Sequence, residues 1–352
     1  MIIYHILPLF ITAFALSYLL IPHIIKVAHY KGLYKPPEAR DAHEEETPRL
    51  GGIAIFSGLT FALLLWTPNQ FFSHFQALLS AFLILFLVGV RDDIKAILPG
   101  KKLLGQLLAA TIVVFKGNVF FKSFHGVLGI EEIPLWASYA FSIFTIILLI
   151  NAFNLIDGIN GLAGSVAMLF SISIGLWLYL AGAEIEFLLA FALAGATLGF
   201  LAYNFRSRIF MGDTGSMLSG LVSAVLLIRF LEWNETLPKG NPLHIAPAPA
   251  VAVGLLILPL FDTLRVFVLR ILRGKSPLQA DRTHLHHLLL DLGLNHIQAT
   301  AVLILSNIGI IALCYYFQKL QSGPLILLIL AIAVLLSGFL AFLHRRAKRI
   351  HD

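Results

Sequence analysis

Four polar clusters interrupt an otherwise apolar chain, and each holds groups suited to anions or metal ions. Asp92 and Asp93 are adjacent and are followed by Lys102 and Gln106. Paired carboxylates at a helix end can hold a divalent cation or act as bases, and a lysine nearby can neutralise phosphate. A merely solvated helix end would read the same way. In NAFNLIDGINGLAG, residues 151–164, Asn151, Asn154 and Asp157 stand three apart, so a helix puts them on one face. Gly158 and Gly161 then allow backbone to approach a ligand closely; amides bridging two helices are the blander alternative.

The third cluster is FMGDTGSMLSG, residues 210–220, where Asp213 precedes Thr214, Gly215 and Ser216. A helix N-terminus of small residues favours anions, and an aspartate there can carry Mg²⁺ to them. An ordinary N-cap is the competing reading. The fourth, DRTHLHHLLLDLG at 281–293, gathers Arg282, His284, His286 and His287. Their spacing does not place all three histidines on one helical face and no cysteine stands near, so phosphate or sugar contacts suit them as well as zinc does. Two lesser features complete the set. Thr47, Pro48, Arg49, Gly51 and Gly52 form a tight polar lead-in to an apolar run. Asp262 and Arg265, three apart, predict an internal ion pair.

What must position these groups is a set of membrane spans. Hydrophobic residues make up 59% of the 352 residues and charged ones 12%, about half the charge of a soluble protein. A span needs about 20 mostly apolar residues. Eleven segments qualify: 2–22, 50–66, 74–90, 103–116, 134–153, 161–181, 184–203, 214–231, 246–272, 298–317 and 323–343. Pro259 should kink the ninth. Residues 117–133 alternate and carry glycines, which predicts a small external hairpin. With the N-terminus outside, the outer side holds only Lys116, Lys122, Arg229, Lys239 and Lys319 of the 25 lysines and arginines. That asymmetry predicts N-terminus out and C-terminus in, and it puts every strong polar cluster on the inner face.

Several classes are excluded. The single cysteine, Cys314, rules out a disulfide framework and cysteine-based metal sites. The net charge of +6 forms no basic patch interleaved with aromatics on a soluble domain, so a nucleic-acid partner is not expected. The apolar N-terminus lacks a basic leader region and a small-residue cleavage site, so it reads as a span and not as a signal peptide. No soluble domain or internal repeat is evident. The expectation is an all-α polytopic protein forming one catalytic domain over 1–352, with its motif-bearing core at about 20–300 and an extra C-terminal span at 323–343.

Carboxylates, a lysine, amides, a glycine-rich helix start and a His-Arg loop at one membrane face make a kit for phosphoryl transfer. So many spans make sense if one substrate is a lipid. A transporter is the rival class, but it would show midplane charges and inverted repeats.

At these motifs the sequence resembles the polyprenyl-phosphate N-acetylhexosamine-1-phosphate transferase family, and most closely its bacterial GlcNAc-1-phosphate branch. That family also includes the phospho-MurNAc-pentapeptide translocase and a dolichol-linked eukaryotic branch. The four motifs stand in the family's order from about residue 20 to 300. The resemblance implies that a polyprenyl phosphate, undecaprenyl phosphate in bacteria, attacks the β-phosphate of a UDP-N-acetylhexosamine at the cytoplasmic face of the inner membrane, and UMP leaves. It implies Asp213 as ligand of Mg²⁺ (Mn²⁺ as substitute), with Asp157 as a second candidate. Lys102 is implied on the diphosphate, and Asp92 as the base that activates the lipid phosphate, with Asp93 in support. Asn154 and Asp157 are implied beside diphosphate and metal, and Phe210 stacked on uracil. Position 160 corresponds to a residue hydrogen-bonding uracil; most bacterial members carry aspartate there, and this chain has Asn160, as the dolichol-linked branch does. Arg282, His284, His286 and His287 are the implied readers of the sugar and its phosphates. UDP-GlcNAc is the expected donor, with UDP-MurNAc-pentapeptide or another acetamido sugar as the alternative. A homodimer is the family's expectation.

Overall fold

The computed structural model describes residues 3–33, 47–274 and 283–351 of the chain. The protein is helical throughout, and no β-strand occurs among the described residues. After α1 (Ile3–Lys31) come α2 (Gly51–Trp66), α3 (Phe72–Ile94), α4 (Pro99–Thr111), α5 (Leu135–Ile156) and α6 (Leu162–Leu180). The chain continues through α7 (Glu184–Asn204), α8 (Gly212–Thr236), α9 (Ala248–Leu255) and α10 (Ile257–Leu272). It ends with α11 (Leu285–Asp291), α12 (His296–Tyr316) and α13 (Ser322–His351). The described parts of the eleven apolar segments are largely helical. Among the described residues, eight helices are long and apolar enough to cross a membrane, or nine if the bent pair α9–α10 is one crossing. α2 is apolar but has only 16 residues, and the 13-residue α4 runs on into a π-helical turn at Ile112–Lys116.

α8 is the central pillar. Within its apolar stretch 94% of residues are buried, and α2, α3, α5, α6 and α7 pack around it. A helix that is apolar on every side belongs inside a bundle, and small residues let its neighbours come close. A Cβ added to Gly52 of α2 would lie 2.1 Å from the Gly215 nitrogen, and one on Gly89 of α3 would lie 2.5 Å from Thr214 Cα. The first turn of α8 is therefore gripped from two sides by bare backbone.

The ninth apolar segment is broken as expected, by 77° between α9 and α10. The break centres on Leu256, just ahead of Pro259. Proline lacks the N–H that would reach back four residues to the Leu255 carbonyl. Asn307 of α12 donates to that carbonyl instead, at 3.3 Å, so the backbone group left over by the proline is met inside the protein.

Residues 117–133 form a turn rather than a stranded hairpin. One antiparallel bridge joins Ser123 and Glu132, and Phe124 N donates to Glu131 O at 3.0 Å. Glu232, near the C-terminal end of α8, accepts from Lys122 N at 3.0 Å. The turn thus sits at the end of α8 opposite Asp213.

Candidate active site

The site is assembled where α8 begins. Phe210 N donates to Pro48 O at 2.9 Å, Gly51 N to Phe210 O at 2.9 Å and Gly52 N to Met211 O at 2.8 Å. The polar lead-in of α2 is thereby zipped along the chain entering α8, and Thr47 Oγ1 adds a bond to Ser207 O at 3.2 Å. Gly212 has φ +71°, and a Cβ there would lie 2.2 Å from Arg49 O. Only glycine suits both the left-handed backbone and that contact.

The two adjacent aspartates point in different directions. Asp93 Oδ1 accepts Asp213 N–H at 2.7 Å, while its Oδ2 accepts Thr214 N–H at 3.1 Å and Thr214 Oγ1 at 2.6 Å. No side chain of α8's own N-terminus caps it, so a carboxylate from α3 meets the first unpaired N–H groups and complements the helix dipole. Asp92 turns the other way. Its Oδ1 accepts Ile97 N–H at 2.7 Å, which pins the α3–α4 turn, and its Oδ2 lies 3.4 Å from Lys102 Nζ. Lys102 Nζ also pairs with Asp213 Oδ2. One ammonium is therefore shared between Asp92 and Asp213, whose side chains remain 16% and 25% exposed.

The segment 151–164 contributes unevenly. Asn154 Nδ2 donates to Asp213 Oδ1 at 2.8 Å and to Ser216 Oγ at 3.0 Å, so it joins the site. Asn151, one turn earlier, instead forms an amide pair with Gln106, donating to its Oε1 at 2.8 Å; this is a bridge between α5 and α4. Asp157 caps the end of α5. Burial, and then the carboxylates of Asp213 and Asp93, push its carboxyl well above the usual range, against the pull of Arg49 and of the Gly212 N–H. Such a concentration of carboxylates favours an added cation.

Asn160 begins the turn into α6. Its Nδ2 donates to Ser207 Oγ at 2.6 Å and its carbonyl accepts from Thr300 Oγ1 at 2.8 Å, while its buried Oδ1 has no partner in the protein. Gly161, at φ +83°, gives its N–H to Asn204 Oδ1 at 2.6 Å, and Asn204 Nδ2 reaches Ile209 O at 2.8 Å. Asn204 thus ties this turn to the chain that carries Phe210, which is half-buried.

The histidines converge. His284 is the N-cap of α11, with extended backbone, so helical spacing does not govern where it points. Its ring lies 5.5 Å from His286 and 6.5 Å from His287, centroid to centroid, and the latter two are 4.3 Å apart. His284 and His286 are 5% and 2% exposed, and His287 is half-buried. Burial, followed by the crowding of His287, His284 and His296, holds the His286 imidazole well below its usual value. A Cβ on Gly158 would lie 2.2 Å from His286 Nε2, so this loop is seated on the residue after Asp157. Asp262 and Arg265 do pair, at 3.5 Å, but the shorter bond from Asp262 Oδ2 goes to His284 Nδ1, at 2.8 Å. Arg282 lies outside the described residues.

The donors near Asp213 are hard oxygens, which suits Mg²⁺. Among the described residues no group of three or more His, Cys, Asp or Glu side chains is placed to hold a metal by itself. A magnesium ion on Asp213 would complete its shell with phosphate oxygens and water, the usual habit of that ion. Asn204 and Ser207 were missed by sequence reasoning, while Ser216 was named only among the small residues that open α8. Asn204 has a polar run after it as a signal; Ser207, held at φ +57°, has none.

Comparison with known proteins places the chain among named relatives. Residues 75–231 match glycosyl transferase family 4. An undecaprenyl-phosphate alpha-N-acetylglucosaminyl 1-phosphate transferase of Yersinia pestis is 29% identical over 344 residues, covering 94% of this chain and 89% of that protein. A decaprenyl-phosphate N-acetylglucosaminephosphotransferase of Mycolicibacterium smegmatis is 31% identical, with 86% of this chain and 79% of the other covered. A probable undecaprenyl-phosphate N-acetylglucosaminyl 1-phosphate transferase of Bacillus subtilis is 31% identical, with 86% and 81% covered.

Proposed function

Because the chain belongs to glycosyl transferase family 4, we propose that it transfers GlcNAc-1-phosphate from UDP-GlcNAc to a polyprenyl phosphate, undecaprenyl phosphate in bacteria, releasing UMP. The observation that carries this reading is the Lys102 ammonium shared between Asp92 and Asp213, with Asn154 bonded to Asp213. An attacking phosphate and a diphosphate are both anions, so the site must hold cationic charge against them and align an in-line displacement. Lys102 moves onto the diphosphate as the donor enters. Asp92 accepts the proton of the lipid phosphate. Asn154 keeps Asp213 in its rotamer. Asp93 acts behind the site, holding the first turn of α8. Asp213, with Asp157 nearby, would hold Mg²⁺, with Mn²⁺ as a substitute; the ion would supply charge stabilisation to the diphosphate when bound. Phe210 and Asn160 take the uracil. Arg282, His284, His286 and His287 read the sugar and its phosphates.

The reading sets the site at the cytoplasmic face of the inner membrane, with the N-terminus out and the C-terminus in, as the lysine and arginine distribution supports. In it, α2 and α4 with its π turn complete eleven crossings, the whole chain is one catalytic domain, and the protein acts as a homodimer. The test is an assay of purified protein with undecaprenyl phosphate, Mg²⁺ and a panel of UDP-sugars. UMP release with UDP-GlcNAc, dependent on both lipid and metal, is expected. Preference for UDP-MurNAc-pentapeptide would change the donor. Movement of a UDP-sugar across vesicles without UMP release would replace the enzyme by a transporter.

A further inference from the structure

We propose that Asp262 is a positioning residue of the site, acting through His284 and His286 on the turn that carries Asp157. This rests on the transferase reading above, because it assigns Asp157 a place beside the diphosphate.

Asp262 lies in α10, past the 77° break that turns this helix away from the line of α9. It is 2% exposed. Its two oxygens serve separate partners. Oδ2 meets His284 Nδ1 at 2.8 Å, and Oδ1 accepts Leu285 N–H at 3.0 Å. Arg265, one turn on, donates to Thr283 O at 2.7 Å and lies 3.5 Å from Asp262 Oδ1. Two side chains of α10 therefore hold three consecutive residues, Thr283, His284 and Leu285. Capping α11 would need only the Leu285 bond. The second oxygen fixes the ring of His284, because an ionised carboxylate only accepts and so requires the proton on Nδ1.

The fixed ring has a partner. His284 and His286 lie nearly parallel, 10° between planes at 5.5 Å, and His286 Nε2 occupies the space a side chain at Gly158 would need. The chain of contacts runs from Asp262 through His284 and His286 to Gly158, whose neighbour is Asp157. Partners of this kind set the tautomer and ring plane of a site histidine without touching substrate.

Asparagine at 262 can still accept the Leu285 N–H through its one oxygen, but its amide can then only donate to Nδ1, which reverses the tautomer of His284. The experiment compares Asp262→Asn, Asp262→Glu, Asp262→Ala, His284→Gln and the double variant Asp262→Ala with His284→Gln. Turnover is scored per folded protein from thermal melts, and ¹⁵N-histidine spectra read the tautomer of His284 without any turnover. Expected are a His284 protonated at Nδ1 in the parent and a kcat loss of about tenfold or more in Asp262→Ala. The KM for UDP-GlcNAc should change far less, Asp262→Glu should recover part of kcat, and the double variant should be no worse than the poorer single one. A bare Nδ1 in the parent, multiplied losses in the double variant, or turnover that falls only with the folded fraction would overturn the proposal. If the parent transfers nothing from UDP-GlcNAc, the transferase reading fails, while the spectra still decide the Asp262–His284 pair.

Discussion

Asp93 on α3 holds the backbone of Asp213 on α8: its Oδ1 accepts the Asp213 N–H at 2.7 Å, and its second oxygen takes both donors of Thr214. The residue beside it, Asp92, faces Lys102 instead. Neighbours on a helix point about 100° apart, so a carboxylate pair at a helix end is divided between a structural role and an exposed one.

That division predicts different failures. Asp93→Asn keeps one acceptor for three donors and should destabilise the protein by about 1–3 kcal/mol, lowering the melting temperature together with activity. Asp92→Asn should leave the melting temperature within a few degrees and lower kcat by about 100-fold or more. Thermal melts paired with UMP-release kinetics check both, and a stable but inactive Asp93→Asn would reverse the assignment.

Lys102→Ala leaves the carboxylates of Asp92 and Asp213 without their shared cation. We expect kcat to fall by about 100-fold to 1,000-fold, and the ligand-free protein to gain more stability from added Mg²⁺ than the parent does. Melts across a magnesium titration measure the second effect independently of turnover.

Chelation should abolish UMP release in the parent, with Mg²⁺ restoring it and Mn²⁺ doing so in part. In Asp213→Ala neither ion should restore turnover although the protein stays folded. Metal-dependent activity near the parent's in that variant would remove Asp213 as a ligand.

Gly52→Ala sets a methyl 2.1 Å from the Gly215 nitrogen, against backbone that has no rotamer to yield. The helices must separate, so most of the folded yield should be lost. Gly100→Ala meets nothing within 4 Å and should fold and work as the parent does. Monodispersity in size-exclusion chromatography distinguishes the two.

His286 has a pKa below that of the unfolded chain because burial disfavours its charged form. The unfolded state then binds more protons in the interval between the folded value and about 6.5, so stability rises with pH through that interval. The stabilisation is present above the ordinary histidine value and is lost on acidification below it. Melts from pH 7.5 to about pH 5 should show this loss, and His286→Asn should flatten it.

Much of the fold and some of the site were legible in the chain. The described parts of the eleven apolar segments are largely helical, and eight or nine of the described helices are long and apolar enough to cross a membrane, because apolar runs of about 20 residues in hydrocarbon demand helix whatever the neighbours are. The break near Pro259 was legible for the same local reason, a missing N–H. The spacing put Asn154 on one face with Asn151 and Asp157, while only the family resemblance implied its place near Asp213. By contrast, residues 117–133 alternate like a hairpin and make a single bridge, since glycines and a left-handed His125 at φ +50° break the ladder.

By itself the sequence determined which residues gather at one end of the bundle, because polar side chains are too costly to leave in the apolar interior. Periodicity could not divide equal side chains among different roles. Asn151 and Asn154 share a face, yet one ties α5 to α4 and the other reaches Asp213. Asp92 and Asp93 are identical residues, and Asp262 was legible only as a partner of Arg265. These choices depend on which donor from a distant element arrives within about 3 Å. Only the packing of α3, α8 and α10 decided that, by bringing Asp213, Thr214 and His284 to carboxylates far from them in sequence.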